Sequence, residues 1–180
     1  MLVRRDRSLL LVVDIQARLA PAIHEVEPLV GRVGVLLEAA RRLAVPVMVS
    51  EQYPQGLGAT IEPLQPRLEG ARFLSKTAFS CADEPLIHAA IAQSGRDQVV
   101  LCGTEAHVCV LQSALGFRAL GLEVFVVADA VGSRHPESRD LALARLRHEG
   151  VVVVNTEMVV FEWLQRAATD EFRAVSPLIK

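Results

Sequence analysis

Six short apolar runs recur along this 180-residue chain, most of them rich in valine and apolar at every position. They are LLLVVD (9–14), VPVMVS (45–50), RFLS (72–75), QVVLC (98–102), EVFVVAD (123–129) and VVVVN (151–155). A strand that is apolar on both faces has no side to offer water, so it belongs inside a sheet covered twice. The segments between have helical period: 29–44, 82–95, 108–121 and 136–150. Asp83 and Pro85 open the second, with Gly95 past its end, and Pro136 and Gly150 bracket the fourth; these are helix start and stop signals. Such alternation demands right-handed crossovers, and it predicts an α/β fold with one doubly wound sheet of about six parallel strands. Helices should cover both faces. No repeat or compositional break divides the chain, so one domain is expected over 1–180, large enough for a substantial core.

Two segments depart from the rhythm. EQYPQGLGATIEPLQPRLEG (51–70) carries three prolines and three glycines and predicts an irregular loop over one sheet edge. The tail NTEMVVFEWLQRAATDEFRAVSPLIK predicts two short helices packed on the sheet or on a partner subunit. Its run MVVFEWLQ (158–165) is more apolar than one exposed helix face needs, which points to a homo-oligomer.

Composition excludes several classes of function. A formal net charge of −2, scattered basic residues and 4% aromatics give neither a polyanion-binding arm nor a base-stacking surface, so no nucleic-acid partner is expected. The first apolar run is too short for a signal peptide, ends in Asp14 and lacks a small-residue cleavage site. No stretch approaches the roughly 20 apolar residues that span a bilayer, so no membrane association is expected. Three cysteines without a C-x-x-C suit a reducing compartment, and a cytoplasmic location is expected. There is no P-loop, no G-x-G-x-x-G after the first strand and no G-x-S-x-G elbow.

Open α/β sheets bind ligands beyond the carboxyl ends of their strands. The first strand delivers Asp14 and then Gln16, the third delivers Lys76 in LSKTAFS, and the fourth delivers GTEAHVC with Cys109 at a helix start. Singly, each has a bland reading: a cysteine plugging the core, an aspartate capping loop amides, a solvated lysine. Together they bring a thiol, a carboxylate and an ammonium to one edge, which favours chemistry. His107 lies two residues before Cys109; residues so spaced do not share a helix face, so it is read as a pocket residue and not a dyad partner. Glu51, Gln52, Tyr53 and Phe79 sit on loops at the same edge and, with Gln16, are candidates for the substrate pocket. Cys81 and Cys102 read as structural, Met48 as core, and His88, His135 and His148 lack metal-ligand spacing.

The motifs VVDIQ, SKTAFS and GTEAHVCVLQSALGFRALGLEVFVVADAVGSR resemble the isochorismatase-like cysteine hydrolases, a superfamily that includes nicotinamidases and other small amidases. SEQYPQGLG (50–58), EAHVCV and FRAVSPLIK extend the likeness toward the isochorismatase domain-containing proteins, in order over almost the whole chain. The resemblance implies a six-stranded parallel sheet and a catalytic triad of Asp14, Lys76 and Cys109. It also implies a cis peptide at Thr104–Glu105, an oxyanion hole from the backbone N–H groups of Glu105 and Cys109, and an oligomeric assembly.

The chemistry so implied is hydrolysis of a small amide. A free thiol has a pKa near ~8.5 and reacts as thiolate. A helix N-terminus and a nearby ammonium favour that thiolate, and Asp14 can accept its proton. Attack on the carbonyl yields a thioester, the two N–H groups hold the oxyanion, and Asp14 protonates the departing amine. Nicotinamidases hold a metal through Asp and His residues after the second strand; SEQYPQG has no histidine, and Glu51 alone is a poor site. No metal or cofactor is therefore expected. Two other readings stay open: a redox or detoxifying protein cycling through Cys109 with Cys102 as resolving thiol, and a catalytically silent interaction module.

Overall fold

In the computed structural model, which describes residues 1–179, the six apolar runs form one parallel sheet. The strands are β1 (Ser8–Val13), β2 (Val47–Gln52), β3 (Arg72–Lys76), β4 (Gln98–Thr104), β5 (Glu123–Gly132) and β6 (Val152–Val154). Their spatial order is β3-β2-β1-β4-β5-β6, so the chain winds outward from β1 in one direction, returns, and winds outward in the other. The helices are α1 (Val26–Arg42), α2 (Pro54–Leu57), α3 (Pro85–Ser94), α4 (Leu111–Ala119), α5 (Pro136–His148), α6 (Thr156–Leu164) and α7 (Asp170–Val175).

The alternation of side chains along each strand splits the core into two layers. From β1, Leu10 and Val12 enter one layer with Leu29, Val33 and Leu37 of α1, Trp163 of α6 and Val175 of α7. Leu9, Leu11 and Val13 enter the other with Ile87 of α3, Phe117 of α4 and Leu146 of α5. Every residue of β1 and β4 is buried, which is why these runs read as apolar without a period. Each fully buried Leu or Val gains roughly 1.5–3 kcal/mol over an exposed one, so the central strands carry much of the fold's driving force.

Two sequence expectations change. The 51–70 segment is partly ordered: it holds α2 and a 3-10 turn at Glu62–Arg67, and Leu64 and Leu68 bury in the α1 layer. The apolar tail run, offered as a sign of a partner, packs on its own chain instead. Val159, Val160, Trp163 and Leu164 are buried against α1 and the sheet, and only Met158 and Phe161 face outward as large apolar groups. Trp163 has its indole N–H donating to Ser8 Oγ at 3.3 Å, so even its polar atom is satisfied internally.

The strand ends differ in a way that builds a crevice. β1 stops at Val13 because Asp14 turns into the left-handed region at φ 50°, which Asp tolerates better than most residues. β2 and β4 run two residues beyond the apolar signal, to Gln52 and Thr104. Gly103 makes this possible. It sits at φ 116° beside Val13, and a Cβ there would lie 2.1 Å from the Val13 carbonyl oxygen, so only glycine fits.

Candidate active site

The reversal of strand order falls between β1 and β4, where an open sheet leaves a crevice at its carboxyl edge. Asp14 follows β1 directly into that crevice. Its Oδ1 accepts a hydrogen bond from Ser50 Oγ at 2.7 Å, and its Oδ2 faces Lys76 Nζ at 2.8 Å. Both side chains of this ion pair are fully buried. Among the described residues Oδ2 has no hydrogen-bond partner beyond that ion pair. Thr104 Oγ1 donates to the Asp14 carbonyl at 2.8 Å and pins the turn from the β4 side.

Lys76 is the last residue of β3 and lies in register with Gln52 of β2. Its ammonium donates to Gln52 Oε1 and to the carbonyls of Ala78 at 3.2 Å and Phe79 at 3.1 Å. Burial pulls the Lys76 ammonium toward neutrality, but the Asp14 charge and hydrogen bond more than offset it, and the net shift is upward. The segment after Lys76 is held by Glu84, whose Oε1 accepts from the N–H groups of Thr77 at 2.7 Å and Ala78 at 2.8 Å.

Cys109 lies in a π-helical turn, Ala106–Val110, that precedes α4, not in an ordinary first helical turn. The Glu105 carbonyl accepts from Val108 N and from Val110 N, each at 3.1 Å, so these two bonds straddle the Cys109 N–H. Such single π-turns recur where a helix must present a functional group. The Thr104–Glu105 peptide that leads into the turn is cis. Cys109 is 6% exposed, and its thiol lies 4.0 Å from Gln52 Oε1. Burial pushes it up to about 12, with the Asp14 charge adding to the rise and Lys76 opposing it. The expected bias toward thiolate is thus reversed: desolvation and the carboxylate outweigh the ammonium, and the resting thiol keeps its proton.

The structure brings Asp14, Lys76 and Cys109 together. The other anticipated residues are used differently. Gln16 is fully buried and its amide is spent on backbone: Nε2 donates to the carbonyls of Gln52 at 3.0 Å and Gly58 at 2.6 Å, and Oε1 accepts from Gln52 N at 2.8 Å. It pins the loop to the sheet and is not a free pocket group. Glu51 likewise accepts from Thr60 N at 2.7 Å and Thr60 Oγ1 at 2.8 Å. His107 pairs its Nδ1 with Ser133 Oγ at 2.9 Å, toward the loop after β5. Tyr53 and Phe79 are 56% and 55% exposed on the segments flanking Lys76, at the rim. Gln52 was only one of several loop candidates in the sequence, yet its Oε1 touches both Lys76 and Cys109; the signal was its place two residues past the apolar run of β2. Ser50 was missed altogether.

The remaining cysteines separate by sheet face. Cys102 is buried in the α1 layer and Cys109 in the opposite one, so Cys102 cannot resolve a Cys109 oxidation product. Cys81 shares the Cys109 layer; burial and then Asp14 hold its thiol up at about 11. Among the described residues no three His, Cys, Asp or Glu side chains converge as metal ligands.

A family model described as the isochorismatase domain matches residues 8–158. Isochorismatase domain-containing protein 2 of Danio rerio is 37% identical over 172 residues, covering 96% of this chain and 86% of the relative. Among solved structures, the MAR1 ribonuclease from Caenorhabditis elegans superposes with a TM-score of 0.93 at 33% identity, over 99% of this chain and 92% of that one. The YcaC gene product of Escherichia coli, described as an octameric hydrolase of unknown specificity, has a TM-score of 0.93 at 22% identity, over 99% and 89% of the two chains.

Proposed function

Because this chain belongs to the isochorismatase family, we propose that it is a cysteine hydrolase in which Cys109, Asp14 and Lys76 cleave the C–N bond of a small amide. The observation that carries this reading is the buried Asp14–Lys76 pair at 2.8 Å beside the buried Cys109. Burying two charges costs several kcal/mol per ion before their attraction repays it, so a chain gains little stability from such a pair. A role in proton transfer gives the pair a reason to be there.

The reaction follows from the protonation states. Asp14 takes the thiol proton as sulfur attacks the carbonyl carbon, because a preformed thiolate is disfavoured in this site. The carbonyl π electrons move to oxygen, and the N–H groups of Glu105 and Cys109 stabilise the oxyanion. Collapse breaks the C–N bond, and Asp14 returns the proton to the departing nitrogen. Water then adds to the thioester with Asp14 again as base, releasing the acid and the Cys109 thiol. Lys76 balances the carboxylate charge through this cycle, and Gln52 Oε1 orients the ammonium toward it. The steps call on no metal or cofactor.

The ribonuclease name belongs to the nematode protein. A phosphate track would need free cations, whereas here Lys76 is buried against Asp14 and Arg134 is engaged by Glu105. A homo-oligomer also forms part of this proposal. The octameric E. coli neighbour supports it, as do Leu86 and Leu141, which are 68% and 72% exposed.

The test is a screen of small amides and esters, read by the mass of a covalent acyl-enzyme. Wild-type protein should gain an acyl group at Cys109, and Cys109→Ala should neither acylate nor turn over while keeping its fold. Full turnover by Cys109→Ala would exclude the nucleophile.

A further inference from the structure

The proposed mechanism uses the backbone of the Glu105–Cys109 turn but does not say what holds that turn still. The loop after β5 grips it with two consecutive residues, Ser133 and Arg134. Arg134 meets the Glu105 carboxylate with two nitrogens, Nε to Oε1 at 2.7 Å and Nη2 to Oε2 at 3.3 Å. Ser133, itself buried, holds the His107 ring at 2.9 Å. The loop is anchored in turn: β5 reaches it by pairing Gly132 with Thr104, and Arg139 of α5 donates to the Val131 and Ala128 carbonyls behind it.

The two partners of the ion pair are unequally placed. The Glu105 side chain is 9% exposed, while Arg134 is 54% exposed. An exposed arginine on a carboxylate contributes little to stability, but a two-point contact between a guanidinium and a carboxylate is directional and fixes orientation. What it fixes here is the residue whose N–H the proposed mechanism uses to hold the oxyanion. A lysine would keep the charge and lose the second point of contact.

We infer that Arg134 is a positioning residue for the oxyanion hole, holding Glu105 so that its backbone N–H meets the developing oxyanion, with Ser133 steadying the same turn through His107. The inference rests on the cysteine hydrolase reading above. It makes a specific demand: Arg134 matters for attack on a carbonyl, where an oxyanion forms, and not for displacement at a saturated carbon, where none does.

Two reagents on the intact protein separate these. p-Nitrophenyl acetate acylates a thiol through an oxyanion, and iodoacetamide alkylates it without one. Removing an oxyanion donor outright costs about 10²–10³ in rate, and loosening one should cost about 10- to 100-fold. Arg134→Ala should therefore slow acylation of Cys109 by that factor and leave its alkylation within about twofold. The loss should fall on the acylation rate constant and not on the concentration giving half-saturation. Arg134→Lys should recover only part of the rate, and Ser133→Ala should show the same pattern more weakly. Wild-type acylation rates in Arg134→Ala would overturn the inference alone. So would an equal loss of acylation and alkylation, which would mean that the thiol or the fold had been damaged. Failure of wild-type protein to acylate at Cys109 would overturn the cysteine hydrolase reading and this inference with it.

Discussion

Replacing Asp14 with asparagine should make Cys109 easier to alkylate while ending turnover. In the wild-type site the thiol sits at about 12 because burial, the Asp14 charge and the Asp14 hydrogen bond all raise it, and only Lys76 opposes them. Asp14→Asn removes the two carboxylate contributions. A neighbouring charge of this kind shifts a pKa by ~1–3 units. Each unit multiplies the thiolate population about tenfold, but the weaker nucleophile returns part of that gain, leaving roughly threefold per unit. Alkylation of Cys109 by iodoacetamide at neutral pH should therefore accelerate roughly 3- to 30-fold. Turnover should fall by about 10²–10⁴, the usual worth of a general acid-base group. The assay is peptide mass mapping of all three thiols over time. Cys102 is the internal control: its thiol is raised by burial alone, on the opposite face of the sheet. If Cys102 labels in step with Cys109, the variant has loosened and the faster rate has a trivial cause. Unchanged or slower labelling of Cys109 in a folded variant would refute the electrostatic account, and retained turnover would refute Asp14 as the proton carrier.

Four further predictions follow. Lys76→Met should cost about 3–5 kcal/mol by leaving the Asp14 carboxylate buried and unpaired, a fall of roughly 6–20 °C in melting temperature; Asp14→Asn/Lys76→Met together should recover more than half of it, and additive losses would deny the coupling. The Lys76 pKa is raised on folding, so its stabilisation is complete below its unfolded value near ~10.4 and is lost as pH climbs through the higher folded value; denaturant melts of wild type and Lys76→Met should converge on that alkaline side. Exhaustive chelation should leave the acylation rate within about twofold, whereas a loss restored by zinc or manganese would show that a metal takes part. Light scattering at micromolar concentration should report a multiple of 19.6 kDa, and a monomer would remove the oligomer from the proposal.

Much of this molecule is local information. The valine-rich runs at 9–14 and 98–102 are apolar at every position because β1 and β4 are covered on both faces, and burial of that kind leaves its mark on composition whatever the neighbours are. Alternation of such runs with helix-period segments was enough to set the parallel α/β architecture, since the hand of the crossover admits few other arrangements. Asp14, Lys76 and Cys109 stood out for a related reason: each ends or follows an apolar run on the side where an open sheet binds ligands. What no local pattern carries is register and the division of faces. Whether Gln52 reaches Lys76, whether Gln16 and Glu51 face a ligand or tie down a loop, and whether Cys102 lies beside Cys109 or behind the sheet all turn on strand ends. One residue of offset reverses each answer, because side chains alternate with a period of two. The tail run 158–165 misled for the same cause. Its apolarity was real, but only the packed structure shows that α1 and the sheet were there to cover it. The protonation of Cys109 was furthest out of reach: it balances desolvation against two opposite charges brought in from β1 and β3, and that sum exists only once three distant segments share one buried site.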